Sequence, residues 1–184
     1  TIGFLGGYQE HKGLNIVLKS ISILVKYFGL KNIELQVFGS QYEERQKYYQ
    51  NMAKTFGLSD FVFLNEFADD LNQVFSNSDI FISAGIEAFG RVTAETIVSG
   101  RVAIGIDKGA TPEIINNGIN GYTFTFQDAA DLANKVIRVV ENWSPLINHI
   151  NRNRVQNIEK FSSKNTARRI GMLYQDLISG LKNE

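Results

Sequence analysis

Along most of this chain, short apolar runs that end in glycine or a polar cluster alternate with helical patterns. Residues 2–5 are apolar and run into Gly6-Gly7. Leu14, Val17, Leu18, Ile21, Leu24, Val25 and Phe28 then recur at three and four, the period of an amphipathic helix that Gly29 stops. Residues 33–38 read as a strand ending at Gly39-Ser40, and 42–56 as a helix closed by Gly57. A short buried strand is expected over 61–64 and a short helix with acidic residues in its first turn over 69–76. Strands at Ile80–Ser83 and Val102–Ile106 flank a helix over 93–99 that stops at Gly100. A short helix over 112–116 with proline early, a last strand over 122–126, and helices over 129–142, 145–160 and 164–181 complete the pattern. Strands separated by helices form βαβ units with right-handed crossovers. The fold class is therefore α/β, a parallel sheet of about six strands with helices on both faces and extra helices at the C-terminal end.

Composition narrows the function. Of 184 residues, 43% are hydrophobic and 21% charged, which excludes a disordered chain and suits one domain. We expect a main domain over 1–162 and a terminal helix over 163–184 that packs elsewhere in a longer protein. There is no cysteine, so disulfide scaffolds, thiolate metal sites and cysteine nucleophiles are excluded. His11 and His149, the two imidazoles, stand too far apart in sequence to suggest a zinc site. Nineteen basic residues balance nineteen acidic ones, so no nucleic-acid partner is expected. No apolar run approaches the ~20 residues of a membrane span, and no signal peptide opens the chain. A cytoplasmic setting is the expectation. Strand-like residues begin immediately after Thr1, which reads as a piece of a longer protein.

In an open parallel sheet, ligands bind beyond the carboxyl ends of the strands. Those ends carry Gly6-Gly7 and then Lys12, Gly39-Ser40, Asn65-Glu66-Phe67, the run Ala84-Gly85-Ile86-Glu87-Ala88-Phe89-Gly90-Arg91, and Asp107-Lys108-Gly109-Ala110. Glycine and polar groups at apolar strand ends suit a crevice that backbone shares with a ligand, although glycine also simply closes tight turns. The fourth end is richest. A helix start after Gly90 offers unpaired N–H groups to an anion. Glu87 and Glu95 offer carboxylates to sugar or ribose hydroxyls. Glu87 as an electrostatic cap and Glu95 as a solvated residue is the competing reading. Lys12 and Arg91, cations at helix starts, oppose the helix dipole and suit a phosphate, or are merely exposed.

Other chemistries lack their motifs. No G-x-G-x-x-G follows the first strand, and there is no G-x-x-x-x-G-K-[ST] loop or G-x-S-x-G elbow. No Asp-x-Asp pair follows a strand to hold Mg²⁺.

Glu87-Ala88-Phe89-Gly90-Arg91-Val92-Thr93-Ala94-Glu95 resembles the E-x7-E motif of retaining glycosyltransferases of the GT-B fold, family 4 (glycosyl transferases group 1). Phe4 to Leu14 is similar to that family's F-x-G-R-L-x-x-x-K-G opening, and Val37-Phe38-Gly39-Ser40 to its V-x-G-x-G turn. Phe61-Val62-Phe63-Leu64, Ser78-Asp79-Ile80-Phe81-Ile82-Ser83, Gly109-Ala110-Thr111-Pro112-Glu113-Ile114-Ile115 and Asn117-Gly118-Ile119-Asn120-Gly121-Tyr122 resemble its later motifs, in order. The match runs over residues 2–140. It corresponds to the family's C-terminal, Rossmann-like donor domain, with the acceptor-binding N-terminal domain outside this chain.

The resemblance implies transfer of a sugar from a nucleotide-diphosphate sugar, UDP- or GDP-linked, to an acceptor hydroxyl with retention. The implied setting is bacterial polysaccharide biosynthesis. No metal and no cofactor are implied. Lys12 would hold the diphosphate and Glu87 the hydroxyls of the transferred sugar. Backbone of Ala88, Phe89 and Gly90 would meet sugar and phosphate, Glu95 the ribose, and main chain at Glu66 and Phe67 the base. Gly6, Gly7 and Gly39 would border the substrate. The family carries arginine where Gly7 stands, so Arg91 or the other domain would supply that cation; the proline before the strand-four serine is also missing. Membrane contact, where it occurs, would come through the N-terminal half and make the whole protein peripheral. The isolated domain should bind donor weakly and turn over little. Rival readings are a non-catalytic nucleotide-binding or interaction domain, favoured by Gly7, and a sugar-nucleotide epimerase of the same architecture. A phosphorylase would need a pyridoxal-phosphate lysine that nothing singles out.

Overall fold

The computed structural model describes residues 1–39, 43–66 and 70–181, without the side chains of residues 177 and 179–181. Six strands form one parallel sheet: β1 (Ile2–Phe4), β2 (Leu35–Phe38), β3 (Val62–Asn65), β4 (Ile80–Ser83), β5 (Val102–Ile106) and β6 (Gly121–Phe124). Their order is β3-β2-β1-β4-β5-β6. Ile2 stands opposite Leu35 on one side and Ile80 on the other. The chain winds outward from β1 to β3, then returns to β4 beside β1 and winds the other way. That reversal leaves a crevice beyond the ends of β1 and β4.

Burial explains the order. β5 is buried at every position and lies inside the sheet. Its Val102, Ile104 and Ile106 join the main core with α1 (Leu14–Lys26), α6 (Ala129–Glu141) and α7 (Trp143–Arg152). Its Ala103 joins a second core with Ala94 and Ile97 of α4 (Arg91–Val98), and with Ile114 of α5 (Thr111–Ile114). Alternate residues of one strand thus serve helices on opposite faces. α1 buries Leu14, Val17, Leu18, Ile21 and Leu24 along one stripe that packs on α6. Each such side chain contributes roughly 1.5–3 kcal/mol. Asp128 caps α6, accepting from the N–H groups of Ala130 and Asp131 at 2.9 Å.

Asp131 ties α6 to the end of β6. Burial alone would raise its carboxyl, but the Thr125 N–H at 2.8 Å and Lys135 at 3.2 Å outweigh it and hold the group below its ordinary value. A depressed carboxylate contributes stability that is full above its ordinary range and is lost as pH falls through the depressed value. Asp131→Asn should therefore lower stability at neutral pH and flatten its decline on acidification. Urea unfolding at stepped pH measures this, and an unchanged acid slope would refute it.

Two expectations need correction. The strand expected to be buried over 61–64 is β3, the sheet edge, with Phe63 41% exposed. The single helix expected over 145–160 is two, α7 and α8 (Arg154–Phe161), because Asn153 turns its side-chain amide back onto the His149 carbonyl at 2.9 Å. Smaller shifts occur at ends. α1 stops at Lys26, leaving Tyr27 and Phe28 exposed, and α4 begins at Arg91. α2 spans Glu43–Thr55 and α3 spans Leu71–Ser76, capped by Asp70. Ser40, Tyr42, Phe67 and Asp69 lie outside the described residues. α9 (Ser163–Leu181) ends the described chain with Ile170, Leu173 and Tyr174 exposed. Among the described residues no helix is long and apolar enough to cross a membrane.

Candidate functional site

The crevice between β1 and β4 holds a cleft of about 360 Å³ lined by Leu5, Gly6, Lys12, Ser83, Glu87, Phe89, Gly90 and Arg91, among others. Lys12 Nζ donates to Glu87 Oε1 at 2.6 Å across it, with both side chains about two-thirds buried (28% and 32% exposed). The pair joins residues 75 positions apart. Backbone packing brings them together. Lys12 ends a single 3-10 turn, Glu10–Lys12, closed by Gly13 at φ +78. A Cβ on Gly13 would lie 2.7 Å from the Ala84 carbonyl oxygen, and one on Gly85 2.6 Å from that of His11. The loops after β1 and β4 therefore touch main chain to main chain. The loop after β5 holds Glu87 from behind: the Ala110 N–H donates to the Glu87 carbonyl at 2.9 Å.

Gly90 caps α4 with no side-chain hydrogen bond, so the first N–H groups of α4 carry no side-chain acceptor where the helix meets the cleft. Under that turn Thr93 Oγ1 donates to Ser83 Oγ at 3.1 Å. Ser83, which the sequence marks as a strand end and part of a family motif but not as a site residue, carries its signal in its place at the carboxyl end of the fourth strand.

The other expected residues fall as follows. Gly6 lines the cleft, pressed between the Phe4 ring and Lys12 Cβ. Gly7 takes φ +63 and donates its N–H to the Phe38 carbonyl at 3.1 Å. Gly39 lies against it, since a Cβ there would come 2.6 Å from Gly7 Cα. An arginine at position 7 would strain this backbone. Arg91 lines the cleft but is 80% exposed, and its Nε stands 3.7 Å from Glu95 Oε1. Glu95 itself is not among the residues lining the cleft. Ala88 and Phe89 are exposed before the helix start. Glu66 stands near Tyr8, whose phenol is pushed up by burial, with Glu66 adding and a Gln46 hydrogen bond opposing. Phe67 lies outside the described residues. Among the described residues no cluster of acidic or histidine side chains is arranged to hold a metal ion.

A doubly wound sheet with a polar, cation-bearing cleft at its reversal point is the architecture of the C-terminal half of a GT-B glycosyltransferase. The chain belongs to the glycosyl transferases group 1 family, whose sequence profile matches residues 1–159. No curated protein matches it in sequence. Its fold is similar to that of HepE from Anabaena, crystallised with UDP: TM-score 0.84 at 17% identity, over 95% of this chain and 48% of that one. A glycosyltransferase from Rickettsia africae superposes with TM-score 0.84 at 22% identity, over 96% and 47% of the two chains. Sucrose-phosphate synthase from Thermosynechococcus elongatus gives TM-score 0.79 at 22% identity, over 97% and 45%. The chain thus spans about half the length of each of these three structures.

Proposed function

We propose that this chain is the donor-binding half of a retaining hexosyltransferase that moves a sugar from a nucleotide-diphosphate sugar to an acceptor hydroxyl. The observation that carries the reading is the Lys12–Glu87 pair across a cleft that also receives the start of α4. As the sugar–oxygen bond breaks, negative charge grows on the leaving diphosphate. Lys12 and the amides after Gly90 stabilise it. Glu87 accepts from hydroxyls of the transferred sugar and orients it. Glu95 takes the ribose, backbone at Gly6, Gly7, Gly39 and Ala88 to Gly90 approaches the ligand, and Glu66 and Phe67 border the base. Arg91 adds an exposed cation at the rim. The reaction as proposed uses no metal and no cofactor. The acceptor and the other wall of the cleft belong to an N-terminal domain, which also makes any membrane contact of a cytoplasmic protein. HepE is described with UDP and with UDP-glucose, which makes a uridine nucleotide the first donor to test.

Calorimetric titration with UDP, GDP, ADP and their sugar conjugates tests the reading. One nucleotide should bind saturably, and Glu95→Ala should weaken it about tenfold, the worth of one charge-assisted hydrogen bond. No binding by this chain or by the full-length protein would sink the proposal. A non-catalytic domain is the second reading, favoured by Gly7, which leaves the diphosphate one cation short. It predicts nucleotide binding without acceptor-dependent turnover by the full-length protein. An epimerase would turn over without acceptor.

A further inference from the structure

We infer that Ser83 is a phosphate-binding residue: its hydroxyl, turned into the cleft by Thr93, donates to the diphosphate of the nucleotide. The assignment deepens the donor reading and rests on it. Ser83 ends β4 and is half-buried. Ile80 and Ile82 turn to the main core, so Ser83 falls with Phe81 on the other face. That is the face on which α4 lies, since Phe81 stands opposite Ala103, which packs on Ala94 and Ile97. The β1–β4 register pairs Ile2 with Ile80 and Gly3 with Phe81. Carried forward, it sets Ser83 level with Leu5, and both line the cleft with Gly6 and Lys12.

Hydrogen bonding fixes which way the Ser83 proton points. Thr93 is 1% exposed, and its hydroxyl has one partner among the described residues, Ser83 Oγ at 3.1 Å. A buried hydroxyl proton without an acceptor is costly, so Thr93 is the donor. Were Ser83 the donor instead, the Thr93 proton would be stranded in the core. Ser83 Oγ is therefore an acceptor toward α4. Its own proton has no acceptor among the described residues, and its open side is the cleft. A hydroxyl that could otherwise rotate is thus held as a donor aimed at the ligand.

The polarity of the cleft selects what that donor meets. Lys12 and the N–H groups at the start of α4 are donors too, and Glu87 is the acceptor beside them. A diphosphate oxygen only accepts, which matches a wall made of donors. A sugar hydroxyl needs an acceptor as well and finds one in Glu87. Cations alone do not complete the wall: Lys12 is engaged by Glu87, and Arg91 is 80% exposed at the rim. A neutral hydroxyl adds a charge-assisted hydrogen bond without adding a charge that the cleft must balance. Its place is set by main chain. Ala84 and Gly85 follow it directly; a Cβ on Gly13 would lie 2.7 Å from the Ala84 carbonyl oxygen, and one on Gly85 3.0 Å from Lys12 Cα. Backbone contacts therefore space Ser83 from Lys12, so the two donors are fixed before the ligand arrives.

Calorimetry with UDP, GDP, ADP and their sugar conjugates on Ser83→Ala, Thr93→Val and the double variant tests this, with thermal unfolding of each. Ser83→Ala should weaken the best-bound nucleoside diphosphate and its sugar conjugate alike, by about tenfold. It should also lower the unfolding temperature, because Thr93 loses its acceptor. Thr93→Val keeps the Ser83 hydroxyl and should bind within about twofold of wild type. The double variant makes both partners apolar and removes the stranded proton, so stability should recover while affinity stays about tenfold down. A hydrogen bond that merely braces α4 would return affinity together with stability in the double variant, and that result overturns the assignment. So does Ser83→Ala binding like wild type, or a loss confined to the sugar conjugates, which moves Ser83 to the sugar. Each of these leaves the donor reading standing. No nucleotide binding by the wild-type chain or the full-length protein removes the donor reading and the role of Ser83 with it.

Discussion

Lys12→Met should lower donor affinity by about 30–100-fold, equivalent to about 2–3 kcal/mol, because it deletes a charged donor from a partly buried cleft. The loss should be similar for the nucleoside diphosphate and for its sugar conjugate, since the ammonium is assigned to the phosphates. Glu87→Gln should instead penalise the sugar conjugate and spare the free diphosphate. The two effects should not add. Each side chain is the other's partner at 2.6 Å, so either substitution also leaves a cleft charge unpaired. Titration of both single variants and the double variant forms a complete cycle. Binding of the nucleotide by Lys12→Met within twofold of wild type would remove Lys12 from the phosphate role.

Gly13→Ala should lower unfolding free energy by about 2–5 kcal/mol and weaken donor binding together with it. Two costs combine. Left-handed backbone at φ +78 costs a non-glycine residue about 1–2 kcal/mol. The new methyl would also press on the Ala84 carbonyl at 2.7 Å and on Ala84 Cβ at 2.9 Å, so the loops after β1 and β4 must part, an overpacking cost of about 1–3 kcal/mol. Parting them separates Lys12 from Glu87. Gly29→Ala is the control. Its backbone is also left-handed, φ +68, but its Cβ would meet nothing within 4 Å. It should show the strain cost alone and leave donor binding untouched. Chemical denaturation and calorimetry on both variants decide this; equal losses in the two would refute the packing argument.

Much of the fold was legible because its signals are local. The three-and-four spacing of Leu14, Val17, Leu18, Ile21 and Leu24 marks a helix wherever that helix packs. The runs at Ile80–Ser83 and Val102–Ile106 are bounded as expected. Misreadings arose where the signal is not local. The apolar run at 61–64 reads the same at the centre of a sheet and at its edge, and strand order put it at the edge. The stripe of Leu146 and Ile150 carries no sign that it stops at Asn153, whose amide competes for the backbone. At the site, residue types were readable from the ends of β1 and β4. Ser83 was not singled out, because its link to Thr93 exists only once α4 packs on β4.

The sequence by itself determined the α/β alternation, the polar, glycine-rich strand ends, and the family motifs that carry Lys12, Glu87 and Glu95. Periodicity and turn chemistry are written over a few residues, so one chain suffices to read them. Only the tertiary structure decided that β1 and β4 are neighbours, that Lys12 and Glu87 meet as an ion pair, and that Arg91 leans toward Glu95. Those contacts join residues that strand order and backbone-to-backbone packing at Gly13 and Gly85 bring together, and neither is encoded in any short stretch of the chain.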